Sequence, residues 1–348
     1  MKNRSIFSVT FEELEQFLIE NNKKKYIVKQ IFHWLYKQLV SSFDEMTNIS
    51  KENIIFLKEK FYFDTLKVSK TQIDKRDETR KILFELEDGN KIETVLMKFN
   101  YGYSICVTTQ VGCNMGCNFC ASGKLKKKKN LSVNEIVLQI VEMQKELLKT
   151  SDERISRIVV MGIGEPFDNF DNLLKFLEIA KDRKALEIGS RHITVSTCGI
   201  IPKIKEWADL QMQVNLAISL HAPNDEIRSK LMPINKAYNI AKLMGAIDYY
   251  LMKNNRRITI EYILIKDVND SQDNAYQLAE LLKNKLVYVN IIPYNSISDN
   301  YYKRSSKERL FYDILTKQNI TCTVRQEKCA QIDAACGQLR AREEEGKI

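Results

Sequence analysis

Proline and glycine are scarce, at 5 and 12 of 348 residues. That scarcity excludes a collagenous chain, a linker-rich chain and a low-complexity chain. No apolar run approaches the ~20 residues that cross a bilayer as a helix. The opening segment, MKNRSIFSVTFEELEQFL, lacks a long apolar stretch and carries acidic residues early, so no secretory leader is expected. No repeat of the solenoid kind recurs along the chain. These absences lead to the expectation of a cytoplasmic protein with no membrane association. A length of 348 residues predicts two domains, or one large domain with an appendage.

Cysteine is plentiful by contrast, with eight residues. In a reducing compartment these read as metal ligands or reactive thiols rather than disulfide staples. Basic charge is the second surplus. There are 54 Lys and Arg against 45 Asp and Glu, a net charge of +9. Five positive charges fall in the six residues from Lys124 to Lys129, a patch suited to a polyanion such as nucleic acid.

Residues 1–65 read as helical. FEELEQFLIENN, KKYIVKQIFHWLYKQLV and ENIIFLKEKFY place apolar residues three and four apart. Residues 66–99 change to short alternating runs, with TRKILFELEDGNKIETVLMKF forming an expected hairpin around Asp88-Gly89-Asn90. From 100 to 340 a β-then-α alternation sets in. Strands are expected at 104–112, 155–165, 192–199, 214–222, 257–265, 287–295 and 321–326. Helical spacing fills 132–149, 170–183, 201–211, 239–254, 271–284 and 305–317. Nearly continuous apolar strands separated by helices predict an α/β fold with a parallel sheet covered on both faces. Six or more such units favour a full or partial (β/α) barrel over a flat doubly wound sheet. Glu165, Ser196, His221 and Asn295 then fall at strand C-termini, the rim on which βα folds build active sites.

The densest chemistry is Cys113-Asn-Met-Gly-Cys117-Asn-Phe-Cys120, a C-x3-C-x2-C run after the first of these strands. Thiolates select soft metals and iron–sulfur clusters. A closed zinc site wants four ligands, and no fourth Cys or His lies near. Three ligands to a cluster of four irons leave one iron open to substrate.

That spacing, with an aromatic residue before the last cysteine, resembles the radical S-adenosylmethionine (SAM) superfamily. Met161-Gly-Ile-Gly-Glu165-Pro resembles the superfamily's glycine-rich stretch beside the SAM amine. GIGEPFDN, HITVSTCGIIP, VNLAISLHAPNDEIRSKLMPIN, NIIPYNS and IDAACGQLR together resemble the RlmN/Cfr family of ribosomal RNA methyltransferases, over essentially the whole chain. GIGEP and IDAACGQLR are closer to its carbon-2 branch, which also acts on tRNA, than to its carbon-8 branch.

The resemblance implies a radical SAM barrel with a helical RNA-docking domain at 1–65 and a β-hairpin accessory region at 66–99. It implies a [4Fe-4S] cluster on Cys113, Cys117 and Cys120, and two SAM molecules per turnover. SAM would be held by Gly164, Glu165, Ser196, Ser219, Leu220, His221 and Asn295. Carbon 2 of adenine, between two ring nitrogens, is too electron-poor to attack the methyl of SAM, so a radical route is reasonable. In the family's pattern Cys336 receives a methyl group and a radical derived from the second SAM removes a hydrogen from it. The carbon then adds to adenine as a transient protein–RNA adduct. Glu93 matches the proton acceptor. Cys106 matches the thiol that releases product by attacking the Cys336 sulfur, which leaves a disulfide. Implied partners are 23S rRNA, tRNA and an electron donor such as flavodoxin or ferredoxin, with the enzyme acting as a monomer.

Two features depart from the pattern. Cys329 stands where the family would have glycine, and the Lys124–Lys129 run is unusually basic. Three alternatives stay open on the residues alone: a carbon-8 enzyme, another radical SAM enzyme such as one that activates a partner protein, and an RNA-binding protein with a structural metal.

Overall fold

The computed structural model describes residues 4–295 and 301–326, with Ile332 and Leu339 beyond them. Its centre is a ten-stranded sheet. Seven strands run parallel in chain order: Gly102–Cys106, Ile155–Val160, Ile193–Thr197, Asn215–Ser219, Ile258–Leu264, Val287–Pro293 and Cys322–Val324. Each strand lies beside its predecessor and the order never reverses. A doubly wound sheet reverses direction at a switch point, whereas a barrel keeps winding one way. The expected partial (β/α) barrel is the architecture found.

The strands form as their composition dictates. Leu216, Ala217 and Ile218 are all fully buried, and Leu216 and Ile218 join the main core beneath the covering helices. The helices begin where side chains cap them. Ser132 and Glu135 form a reciprocal capping box at Val133–Leu148, and Thr10 and Glu13 form another at Phe11–Glu20.

Strands end earlier than apolar patterning predicts. The run expected at 104–112 leaves the sheet after Cys106, and only Gln110–Val111 pairs again, with Lys129–Asn130. Gln139 causes the departure by bonding both backbone groups of Thr108, at 2.8 and 2.9 Å. A helix absent from the expectation, Asp225–Leu231, starts on an Asn224 cap within the segment read as strand end and loop.

Residues 67–99 form more than a hairpin. Lys67–Ile73, Arg80–Glu85 and Lys91–Phe99 are antiparallel and extend the main sheet through pairing of Lys91–Phe99 with Gly102–Cys106. The turn lies where expected, with Gly89 at φ +76°. Ile82, Phe84, Ile92 and Leu96 join the main core, while Lys81, Glu93, Val95 and Met97 alternate to the opposite face.

The N-terminal helices Phe11–Glu20, Tyr26–His33 and Lys51–Lys60 share the barrel's core through Ile6 and Phe7. Buried Asp64 accepts hydrogen bonds from Ser5 and from Asn134 of helix Val133–Leu148, which ties the two regions. Phe32 and Tyr36 of the basic aromatic segment are core residues. Among the described residues, no helix is long and apolar enough to cross a membrane.

Candidate active site

The parallel strands and the strand Lys91–Phe99 surround a cavity of about 360 Å³. The cysteine loop closes one side of it. Gly112 turns the chain into that loop at φ +84°, and a Cβ there would lie 2.3 Å from the Lys126 carbonyl oxygen. The Cys113 amide donates to the Leu125 carbonyl at 2.8 Å, and the Asn118 amide to the Leu231 carbonyl at 3.0 Å. The loop is thereby pinned at both ends.

Cys113, Cys117 and Cys120 all line the cavity and are half-buried. Burial pushes the Cys113 thiol up to about 12 and the Cys117 thiol well up, each raised further by neighbouring thiols. Bare thiolates are therefore disfavoured here, and metal ligation, which deprotonates a thiol outright, would relieve the penalty. Among the described residues, no three Cys, His, Asp or Glu side chains could hold a single metal ion. Three thiols lining one cavity, with no fourth Cys or His near them in the sequence, suit a cluster that leaves one iron open better than a closed zinc site.

The strand ends make the second side. Gly164 has φ +107°, and a Cβ would lie 2.6 Å from the Gln110 side chain. That side chain accepts from the Glu165 amide at 2.8 Å and donates to Asp168 at 2.8 Å. The buried Glu165 carboxylate accepts from the Cys198 amide at 2.7 Å and the Phe167 amide at 3.0 Å. Burial raises its pKa, partly offset by these bonds. Glu165 thus braces two loops while it lines the cavity. Ser196 and Ser219 meet hydroxyl to hydroxyl at 3.3 Å. His221, at φ +58°, accepts on Nδ1 from the Ile263 amide at 3.1 Å, which leaves the ring proton on Nε2. Burial and Arg228 hold His221 down at about 3, so the ring is neutral at any physiological pH.

Arg228 sits beneath this rim, fully buried. Its guanidinium donates to the carbonyls of Cys198 at 2.7 Å and Leu220 at 3.2 Å, and to Asn235 Oδ1 at 2.9 Å. It clamps two successive strand-end loops together.

The third side is the seam with the antiparallel strands. Cys106 opens into the cavity, and burial pushes its thiol up to about 11 against the pull of Arg325 and Lys81. Lys81 lines the same cavity and pairs with Glu93 at 3.4 Å, both side chains being only 1% exposed.

Ten of the expected site residues therefore line one cavity: Cys106, Cys113, Cys117, Cys120, Gly164, Glu165, Ser196, Ser219, His221 and Asn295. Glu93 stands one side chain back, behind Lys81. Leu220 does not line the cavity. Its side chain is in the core, and its amide donates to the Glu261 carbonyl at 3.1 Å. Cys336 and Cys329 lie outside the described residues. Cys198, read from sequence as core, is buried and also lines the cavity.

Lys81, Arg228 and Glu261 escaped the sequence reading. Each is a charged residue inside or beside an apolar run, and that pattern was the available signal. The basic run is less free than its composition suggests. Lys127 pairs with Asp168 at 2.7 Å, and Lys129 with Glu135 at 2.7 Å and with Asp88 of the hairpin turn.

Comparison with known proteins bears on this geometry. Residues 107–279 match the radical SAM superfamily, and residues 5–62 match the ribosomal RNA large subunit methyltransferase N-terminal domain. A Malacoplasma penetrans protein named "Probable dual-specificity RNA methyltransferase RlmN" is 57% identical over 340 residues, covering 98% of this chain and 97% of that protein. An Oceanobacillus iheyensis protein of the same name is 54% identical, covering 99% and 98%. A crystal structure of a radical SAM methyltransferase from Sphaerobacter thermophilus superposes with a TM-score of 0.92 at 40% identity, covering 97% of this chain and 99% of that one.

Proposed function

The chain belongs to the RlmN family of radical SAM RNA methyltransferases, and from that membership we propose that it methylates carbon 2 of an adenosine in 23S rRNA and of an adenosine in tRNA. The observation that carries the reading is the position of Cys106. A thiol outside the three-cysteine loop opens into the same cavity as that loop. That placement supports the resolving-thiol role that the family pattern gives Cys106.

Cluster and SAM, when bound, supply the methyl group and the hydrogen-abstracting power. The chain supplies the rest. Cys113, Cys117 and Cys120 hold the cluster. Gly164, a position where a side chain would clash, lets the backbone approach the SAM amine. The Ser196 and Ser219 hydroxyls, the neutral His221 Nε2–H and Asn295 offer polar contacts from strand ends to the rest of SAM. Leu220 keeps a backbone role at most. Cys336 carries the methyl group, Glu93 accepts the ring proton, and Cys106 frees the product by attack on the Cys336 sulfur.

The base must be unpaired or extruded to enter such a cavity. The N-terminal helices serve as the RNA-docking module. The protein works in the cytoplasm as a monomer, with a flavodoxin or ferredoxin as electron donor. The test is mass spectrometry of rRNA and tRNA from cells with and without the gene. The expected result is loss of a 2-methyladenosine signal from both RNAs. Loss of 8-methyladenosine instead would move the enzyme to the carbon-8 branch, and unchanged RNA would overturn the reading.

A further inference from the structure

Lys81 is a lysine in a place lysines rarely occupy, its side chain 1% exposed on the inner face of a sheet. The strand register explains its reach. Lys81 lies opposite Val95, and Val95 lies opposite Cys106, so the three form one row across three strands. Glu93 is two residues from Val95 on the same face. Neighbouring strands stand ~4.8 Å apart, so Lys81 and Cys106 backbones are separated by about two such spacings. A lysine side chain spans most of that gap. Lys81 and Cys106 line the same cavity, and the Lys81 ammonium meets Glu93 at 3.4 Å.

We propose that Lys81 is a positioning residue whose single buried charge serves two anions in turn: it pairs with the Glu93 carboxylate, and it stabilises the Cys106 thiolate once Glu93 has gained a proton. The proposal rests on the reading in which Glu93 is the proton acceptor and Cys106 the resolving thiol. While Glu93 is ionised, its charge largely cancels that of Lys81 at Cys106. A protonated Glu93 is neutral, and the field of the ammonium then falls on the sulfur. The Lys81 and Glu93 side chains are each 1% exposed, so the interaction is screened less than at a surface. The thiol is thus restrained before the ring proton is taken and favoured as thiolate afterwards. The Lys81 and Glu93 charges have this opposite action on the Cys106 thiol. Arg325, from beyond the last strand, also faces Cys106 and is kept intact in every variant below.

The experiment measures alkylation of Cys106 by iodoacetamide across the alkaline range on anaerobically prepared holoenzyme. Peptide mass spectrometry separates Cys106 from the other cysteines. Lys81→Gln is expected to slow Cys106 alkylation about tenfold at a fixed pH below the titration, since one unit of thiol pKa is a tenfold change in thiolate. Lys81→Arg, which keeps the charge, is expected to restore the wild-type profile. Glu93→Gln is expected to speed alkylation, because it imitates the protonated carboxyl. A Lys81→Gln profile that superposes on wild type overturns the proposal, as does a Glu93→Gln profile that is unchanged or slower. If Lys81→Gln fails to fold, Glu93→Gln decides alone by the same criterion. Turnover by Cys106→Ala tests the underlying reading separately: normal turnover would remove the resolving role and leave the alkylation result unaffected.

Discussion

The parallel half of the sheet presents short polar groups to the cavity from its strand ends, with Glu165 and Glu261 beside them, and the antiparallel half presents a buried ion pair. Ser196, Ser219, neutral His221 and Asn295 come from parallel strand ends. Lys81 and Glu93 come from the middle of antiparallel strands, and Cys106 lies on the seam. The difference follows from where each side chain leaves the backbone. A parallel strand ends at the rim, where loops supply short polar groups and backbone amides. An antiparallel strand crosses the cavity wall, so its inward residues are buried along their length. The first arrangement suits recognition of a polar small molecule, and the second suits proton and thiolate chemistry sheltered from water.

The comparison breaks most completely if the parallel half is stripped of its cysteine loop. Changing Cys113, Cys117 or Cys120 to Ala is expected to remove most iron and all SAM cleavage, measured by iron assay and 5′-deoxyadenosine release. Full iron content in the triple variant would disprove the cluster assignment.

The seam is tested next. Cys106→Ala is expected to stall after carbon–carbon bond formation and to purify with RNA attached through Cys336. The adduct should vanish in the Cys106→Ala, Cys336→Ala double variant. A denaturing gel with nuclease treatment reads the outcome. Normal turnover by Cys106→Ala would make Cys329, seven residues before Cys336, the next thiol to test.

The neutral His221 of the parallel half is tested by pH. His221 is held at about 3 against an ordinary 6.5. Below 6.5 the unfolded chain takes up a proton that the folded chain refuses. Stability contributed by the neutral ring is therefore lost as pH falls from 6.5 toward 3, at up to ~1.4 kcal/mol per pH unit. Glu165 and Glu261 act with the opposite sign, because burial raises their pKa and protonation favours the fold. Chemical denaturation of wild type and His221→Gln at matched pH cancels those carboxyl effects. The wild type should lose stability more steeply below pH 6.5, and parallel curves would refute a neutral buried imidazole.

The smallest effect belongs outside both halves. Neutralising the Lys124–Lys129 run should weaken RNA binding and flatten its salt dependence by up to about one unit of slope per lost contact. An unchanged slope would make the run a solvated loop.

The legibility of the molecule was uneven for physical reasons. The helices and parallel strands were readable because burial on both faces demands apolar residues in continuous runs. Their ends were not, because Gln139 pulls Thr108 out of the sheet from 31 residues away. Asp225–Leu231 was hidden because its charged sequence resembles a loop, although buried Arg228 anchors it. The N-terminal aromatic segment was readable in period but not in role, since core and RNA-binding faces share a composition.

Spacing in the chain alone determined the cysteine loop, the glycine-rich turn and the one-way alternation of strand and helix, since local geometry requires those residues at those intervals. Only the tertiary structure decided that Glu93 faces Lys81, that His221 is neutral, that Leu220 points into the core and that Lys127 and Lys129 are paired. Each of these depends on register between strands or on loss of water around a group. Both properties arise from residues distant in sequence and exist only once the sheet has formed.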